Sequence, residues 1–287
     1  MSLPLVCPVC QSALHQHQAS KGFYCDAKHH FDKLEQGYYP LIKVKAKTPQ
    51  SSISRQQMRS RQFLLQSGVF SPLVNCLQKV ICQLFTDKKA DRIDGEHQLN
   101  WLDYQCADGY YLRQIYQSLA ENGLDKSLSV YGVSDAENAL FAASKAGTPA
   151  DLLYSSMKVL PFANHSIDLI TLFDAPFKGQ ECIRVLKQDG RIILVQPTNQ
   201  HLWQIKQKVY SDLTVKPTQL NIPKKLKVVT QKQVSFTLDV TGEQALSLLD
   251  NSQFAWRAND EIRHQIKATA IDGLRCEFEV LVLGLTD

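Results

Sequence analysis

Three cysteines and a histidine near the start of the chain have the types and spacing of a metal site. Cys7 and Cys10 bracket the turn CPVC, and after fourteen further residues Cys25 and His29 frame CDAKH. A CxxC turn places two thiolates on one side of an ion, and a second knuckle from a facing hairpin completes a tetrahedron. Zn2+ accepts such a Cys3His set with no redox complication. Closing the site supplies folding energy to a module too small for a core of its own, and four protein ligands leave no open position for catalysis. A redox CxxC would open a helix in a thioredoxin-like unit, which nothing in this segment resembles. His30, His15 and His17 are alternatives for the fourth ligand, with His29 preferred on spacing. The other five cysteines (Cys76, Cys82, Cys106, Cys182 and Cys276) stand in apolar surroundings and read as small hydrophobes.

A second chemistry is written in charge. The net charge of the 287 residues is only +4, but no acidic residue falls between Glu35 and Asp87, where Lys43, Lys45, Lys47, Arg55, Arg59, Arg61 and Lys79 all lie. Another acid-free stretch, between Asp212 and Asp239, carries Lys216, Lys224, Lys225, Lys227 and Lys232. Such a field favours polyanions, because each neutralised phosphate releases condensed counterions; a solvated basic face with no partner is the alternative. Lys43, Lys45, Arg59 and Arg61 are the expected phosphate contacts. No run approaches the roughly 20 apolar residues that span a bilayer, and the N-terminus lacks the pattern of a signal peptide. The expectation is a cytoplasmic protein with no membrane partner.

The elements that must position these groups divide the chain into a zinc-binding ribbon over 1–37, a basic connector with helices over 38–95, and a main domain over 96–287. In the main domain, WLDYQC (101–106), LSVYGVS (128–134), DLLYSS (151–156), IDLITLFD (167–174) and RIILVQP (191–197) read as short buried strands. Helical stretches separate most of them, which implies parallel strands with right-handed crossovers. VSFTLDV and CEFEVLVLGL then suit an antiparallel pair at one edge. The expected fold is α/β: a Rossmann-like domain with a mixed seven-stranded sheet, of the kind that class I methyltransferases have, plus the small ribbon.

In a doubly wound sheet, ligands bind beyond the C-terminal strand ends at the topological switch point. The first strand runs into DYQCADGYY, which begins at Asp103 and holds Gln105, Ala107, Asp108 and Gly109. Methyltransferases of this fold usually place an acid and three alternating glycines here, so that bare main chain can approach the cofactor; only Gly109 is a glycine. The second strand ends in Ser134 where an acid that binds ribose hydroxyls is usual, with Asp135 one residue late. The third gives Ser155 and Ser156 before LPF, a usual adenine-edge segment, while Asp168 marks the start of the fourth strand.

Taken together, the chain resembles the bacterial 23S ribosomal RNA guanine-N1 methyltransferases that carry an N-terminal zinc ribbon. The resemblance covers nearly the whole length. It rests on CPVC, CDAKHHFD, GYYPL, MRSRQFLLQSGVFSPL, DYQCADGYY, SSMKVLPF, DAPFK, ECIRVLKQDGRIILVQP, the pair His201 and Leu202, and FAWRA at 254–258. It implies S-adenosylmethionine as cofactor, a large-subunit RNA hairpin as partner, and methylation of guanine N1. It also implies zinc on Cys7, Cys10, Cys25 and His29, and cofactor contacts at Phe70, Ala107, Asp108 and His201. The departures are Gln105 and Ala107 for glycines, Ser134 for an acid, and Asp174 where an apolar or aromatic residue is common. Guanine N1 must lose a proton, and Asp174 at the end of the fourth strand is the candidate general base; a turn or capping aspartate before Pro176 is the plainer alternative. A non-catalytic RNA-binding relative that keeps the scaffold is the second functional reading, and monomer or homodimer is left open.

Overall fold

The computed structural model describes residues 3–43, 55–90, 98–173, 177, 179–215 and 222–286. Four two-residue strands open the chain: β1 (His15–Gln16), β2 (Phe23–Tyr24), β3 (His30–Phe31) and β4 (Tyr39–Pro40). Helices α1 (Arg55–Gln66) and α2 (Ser71–Ala90) follow. The main domain then alternates β5 (Leu99–Tyr104), α3 (Tyr110–Glu121), β6 (Leu128–Ser134), α4 (Glu137–Lys145), β7 (Asp151–Tyr154), β8 (Ile167–Phe173), α5 (Gln180–Val185) and β9 (Leu186–Pro197). Its last part comprises α6 (Trp203–Val209), β10 (Leu226–Val240), α7 (Gly242–Asp250), α8 (Asp260–Lys267) and β11 (Ile271–Leu285).

The main sheet has the order β10-β11-β9-β8-β5-β6-β7-β4. Strands β7, β6, β5, β8 and β9 are parallel, and β11 pairs antiparallel with both β9 and β10. Leaving β4 aside, this is the arrangement of the class I methyltransferase fold, with the switch point between β5 and β8. The difference from the expected seven strands is β4, where Tyr39 and Pro40 pair parallel with Leu153 and Tyr154 of β7. Tyr39 and Leu41 are buried, so the connector begins as part of the sheet edge.

Period-2 alternation sorts the strand residues onto two faces. Trp101, Leu169 and Ile193 face one core with α2 and α3, whose Leu77, Ile81, Leu112 and Ile115 are fully buried. Leu102, Tyr104, Ile170 and Leu194 face the other, and there the ribbon supplies Leu5, Leu14, Phe23 and Phe31. Leu5 bridges to Phe162, and the Val6 and Ala163 amides donate to the Pro161 and Pro4 carbonyls at 3.0 and 2.8 Å. The ribbon is thus part of one wall of the main core. Among the described residues no single helix is long and apolar enough to cross a membrane; α1 and α2 meet that test only jointly, across a 79° bend.

Candidate functional site

Two tight turns build the metal centre. The Gln11 amide donates to the Cys7 carbonyl and the Lys28 amide to the Cys25 carbonyl, each at 2.8 Å, and each turn passes through a left-handed residue, Gln11 (φ 63°) and Lys28 (φ 61°). This folds Cys7, Cys10, Cys25 and His29 inward until their ligand atoms lie within 4.8 Å of one another. Cys10 Sγ is 3.7 Å from Cys25 Sγ, and His29 Nδ1 is 3.3 Å from Cys25 Sγ and 3.6 Å from Cys7 Sγ. Tetrahedral zinc with Zn–S of about 2.3 Å and Zn–N of about 2.0–2.1 Å needs S···S near about 3.8 Å and S···N near about 3.5 Å. The donor set fits Zn2+. The Ser12 hydroxyl, 3.0 Å from Cys10 Sγ, brings the Cys10 thiol down to about 6, which favours the thiolate that metal requires. The other histidines turn elsewhere: His15 pairs with Asp26 at 3.3 Å, His17 meets the Tyr24 ring edge-on, and His30 stacks on it.

At the switch point, the turn after β5 holds Gln105, Ala107 and Gly109 at φ 56°, 48° and 69°. All three are left-handed, a conformation that costs a residue with a Cβ about 1–2 kcal/mol. At Gly109 a Cβ would lie 2.6 Å from Thr148 Oγ1, so a side chain there would force that threonine to move. The turn therefore has the shape that alternating glycines normally give, with two of them replaced.

The two acids at this turn have different surroundings. Asp103 faces into the sheet; its Oδ1 accepts from the Thr171 hydroxyl at 2.8 Å, and Thr171 in turn accepts from Trp101 Nε1 at 3.0 Å. Burial pushes the Asp103 carboxyl up to about 7, against the opposing pull of Thr171 and Arg61. Asp108 is 2% exposed, and its Oδ1 has no hydrogen bond; Arg61 Nε of α1 lies 3.9 Å away. A buried carboxylate oxygen in that state calls for a donor. A cationic amino group, such as the one S-adenosylmethionine carries beside its carboxylate, is of the right kind, so the residues present fit that cofactor.

The remaining expected cofactor residues fall into two groups. Ser134 is buried and its Oγ accepts from the Ala136 amide at 3.1 Å, which turns the chain into α4; Asp135 follows it, half-buried. Ser155 is buried, and Ser156 Oγ accepts from the Lys158 amide at 3.2 Å. These lie at the ends of β6 and β7. Phe70 and His201 lie on the other side of the switch point, both against Phe278 of β11, with ring centroids 5.8 and 4.4 Å apart. His201 Nδ1 accepts from the Glu277 amide at 3.2 Å, so the ring hydrogen is on Nε2. Burial, with Lys206 adding to it, lowers the imidazole to about 3, and it stays neutral.

Phe70 and His201 line a cavity of about 190 Å3 together with Arg61, Leu202, Lys206 and Phe254. An engineered cavity of about 150 Å3 accepts benzene, so the space suits one planar heterocycle. Arg61 belongs to both places: it lines this cavity and pairs with Asp108 at the turn. Sequence reasoning put Arg61 with the phosphate contacts and missed Lys206 and Glu277. Of the other expected phosphate contacts, Lys43 and Arg59 are exposed. Lys45 and the candidate base Asp174 lie outside the described residues.

Comparison with known proteins adds four findings. Residues 5–50 match the family model described as RlmA, N-terminal, a zinc ribbon. The chain is 27% identical to the "Putative 23S rRNA (guanine-N(1)-)-methyltransferase YxjB" of Bacillus subtilis, over 72% of this chain and 68% of that protein. It is 24% identical to the "Putative 23S rRNA (guanine-N(1)-)-methyltransferase" of Micromonospora griseorubida, over 89% of this chain and 88% of that one. Among solved structures, the plantazolicin methyltransferase BpumL in complex with a monoazolic desmethylPZN analog and SAH matches with a TM-score of 0.44 and 13% identity, over 80% of this chain and 90% of its own. Residues 5–50 thus match a zinc ribbon, and along most of its length the chain is similar to proteins named as 23S rRNA (guanine-N1)-methyltransferases.

Proposed function

We propose that the protein methylates N1 of a guanine in a hairpin of 23S ribosomal RNA, in the cytoplasm, using S-adenosylmethionine. The observation that carries this reading is Asp108: a buried side chain with a carboxyl oxygen lacking a hydrogen bond, on a turn with three left-handed residues. When bound, S-adenosylmethionine supplies an electrophilic sulfonium methyl group. Asp108 would accept from the amino group of its methionine part, and Arg61 beside it would hold the carboxylate of that part. Asp135, Ser155 and Ser156 would hold the nucleoside half, while Asp103 and Ser134 shape the strand ends from within.

The guanine enters the cavity under α1. Methyl transfer is an in-line displacement, so the work of the protein is to position the reactants and exclude water. Phe70 and Phe278 pack around the base, and neutral His201 offers its Nε2–H as a donor. The N1 proton must leave before attack; Asp174, directly after Phe173 at the end of β8, is the proposed acceptor. Lys43, Lys45 and Arg59 supply phosphate contacts, and zinc on Cys7, Cys10, Cys25 and His29 braces the ribbon. The substituted glycines would favour the non-catalytic reading if the turn had changed shape, and it retains its left-handed residues.

The test is methyl transfer from S-adenosylmethionine to an unmodified 23S rRNA transcript, mapped by reverse transcription. Methylation at N1 blocks the Watson–Crick edge, so a new strong stop at one guanine is expected. Incorporation without a stop would shift the reading to another acceptor atom, and no incorporation would remove the enzyme.

A further inference from the structure

The most exposed large hydrophobic residue among those described is Trp256, 75% exposed, on a short helical turn at Ala255–Arg257 just beside the cavity. A lone exposed apolar residue is ordinary on a protein surface; Trp256 differs in the rings and cations gathered beside it. The turn beneath it is built firmly. The Arg257 and Ala258 amides close it onto the Phe254 and Ala255 carbonyls at 3.0 and 3.2 Å. Arg263 donates to the Ala255 and Ala258 carbonyls, both at 3.1 Å, and is itself anchored by Asp250. Trp256 is thus held out by a braced backbone.

Its neighbours form a graded series toward the cavity. The Arg257 guanidinium lies 4.4 Å from the Trp256 ring and 5.2 Å from the Tyr210 ring. Tyr210 is 6.0 Å from Phe254, and Lys206 Nζ stands 5.5 Å over Phe254; both Phe254 and Lys206 line the cavity wall. Exposed aromatic rings interleaved with cations are the composition that binds single-stranded nucleic acid: the rings stack bases, the cations meet phosphates, and neither reads sequence. With Arg257 against one face of Trp256, the open face has the size of a base.

We infer that Trp256, Arg257 and Tyr210 form a stacking ledge for an unpaired RNA nucleotide that neighbours the one in the cavity. The inference rests on the proposed function for its RNA partner. It deepens that reading by assigning the ledge the task of holding the strand open. A base drawn out of a stem loses its stacking partners, and a flanking base caught on Trp256 offsets part of that loss. The target guanine is then delivered to the cavity by a strand gripped on its rim. Trp256 and Arg257 are positioning residues.

The test uses the full chain with two probes, hexa-adenylate RNA and an unmodified 23S rRNA transcript. Trp101 is fully buried and Trp203 half-buried, so Trp256 is the tryptophan that a stacked base should reach. Hexa-adenylate should quench the tryptophan emission of the native protein, and Trp256→Phe should abolish the quench while keeping most of the affinity. Trp256→Ala should weaken binding to the rRNA transcript about ten-fold, with melting temperature and S-adenosylmethionine affinity unchanged. A quench that persists in Trp256→Phe overturns the ledge, as does rRNA binding by Trp256→Ala equal to that of the native chain. The latter result would leave the methyltransferase reading standing. Quenching by hexa-adenylate at Trp256 without any binding of 23S rRNA would support the ledge and count against the rRNA reading.

Discussion

Asp103 shows how one carboxyl can serve the fold at a cost set by pH. It is buried beneath the cofactor turn, hydrogen-bonded to Thr171, with its pKa pushed up to about 7 by burial. The unfolded chain loses this proton near the ordinary value of 3.8, so between the two values the folded protein holds a proton that the unfolded one has released. The contribution of Asp103 is therefore most favourable below the unfolded value and is lost as pH rises through about 7. Asp103→Asn, which keeps an acceptor for Thr171, should become more stable relative to the native chain by roughly 2–3 kcal/mol between about pH 5 and about pH 8. Denaturant midpoints at the two pH values check this, and a constant difference between the proteins would contradict it. The same scale explains what sequence could not reveal about Arg61. Arg59 and Arg61 read as equivalent charges, but two positions on a helix differ by about 200° of rotation, which leaves Arg59 exposed while Arg61 reaches Asp108. Charge counting carries no direction, and the buried apolar residues Met58, Leu64 and Leu65 say which side of α1 faces inward.

At the scale of elements, the zinc knuckles and the alternating strands are legible because each is a local pattern. Ligand spacing picks His29 over its neighbour His30, which the β3 register turns toward Tyr24. Strand β4 was not legible: its two residues show no period of their own and are strand only because β7 offers a free edge. Its consequence is that the ribbon and the sheet share a core, through Leu5 and Phe23 against residues such as Phe162. Metal loss should then be felt by the whole chain. Cys25→Ser, or chelation of the native protein, should abolish zinc content and lower the melting temperature by roughly 10 °C or more, in one transition. Atomic absorption and calorimetry check it; an early ribbon transition that leaves the main one in place would contradict the shared core.

For the whole molecule, the sheet places the proposed cofactor turn and a base-sized cavity on either side of the switch point, with α1 laid across to join them through Arg61. The resemblance pointed to Phe70, Asp108 and His201 from scattered motifs, and the fold shows their link: Phe70 and His201 share Phe278, and Asp108 shares Arg61 with their cavity. What sequence left open was whether a turn with Gln105 and Ala107 in place of glycines could keep its shape, since backbone strain at a site depends on the surroundings that hold it. The measurement closest to that question is a calorimetric titration of the full chain with S-adenosylmethionine, beside Asp108→Asn. One saturable site, weakened about ten-fold or more in the variant by loss of a charge-assisted hydrogen bond, is the predicted result. No binding by the native protein at millimolar cofactor would contradict the account.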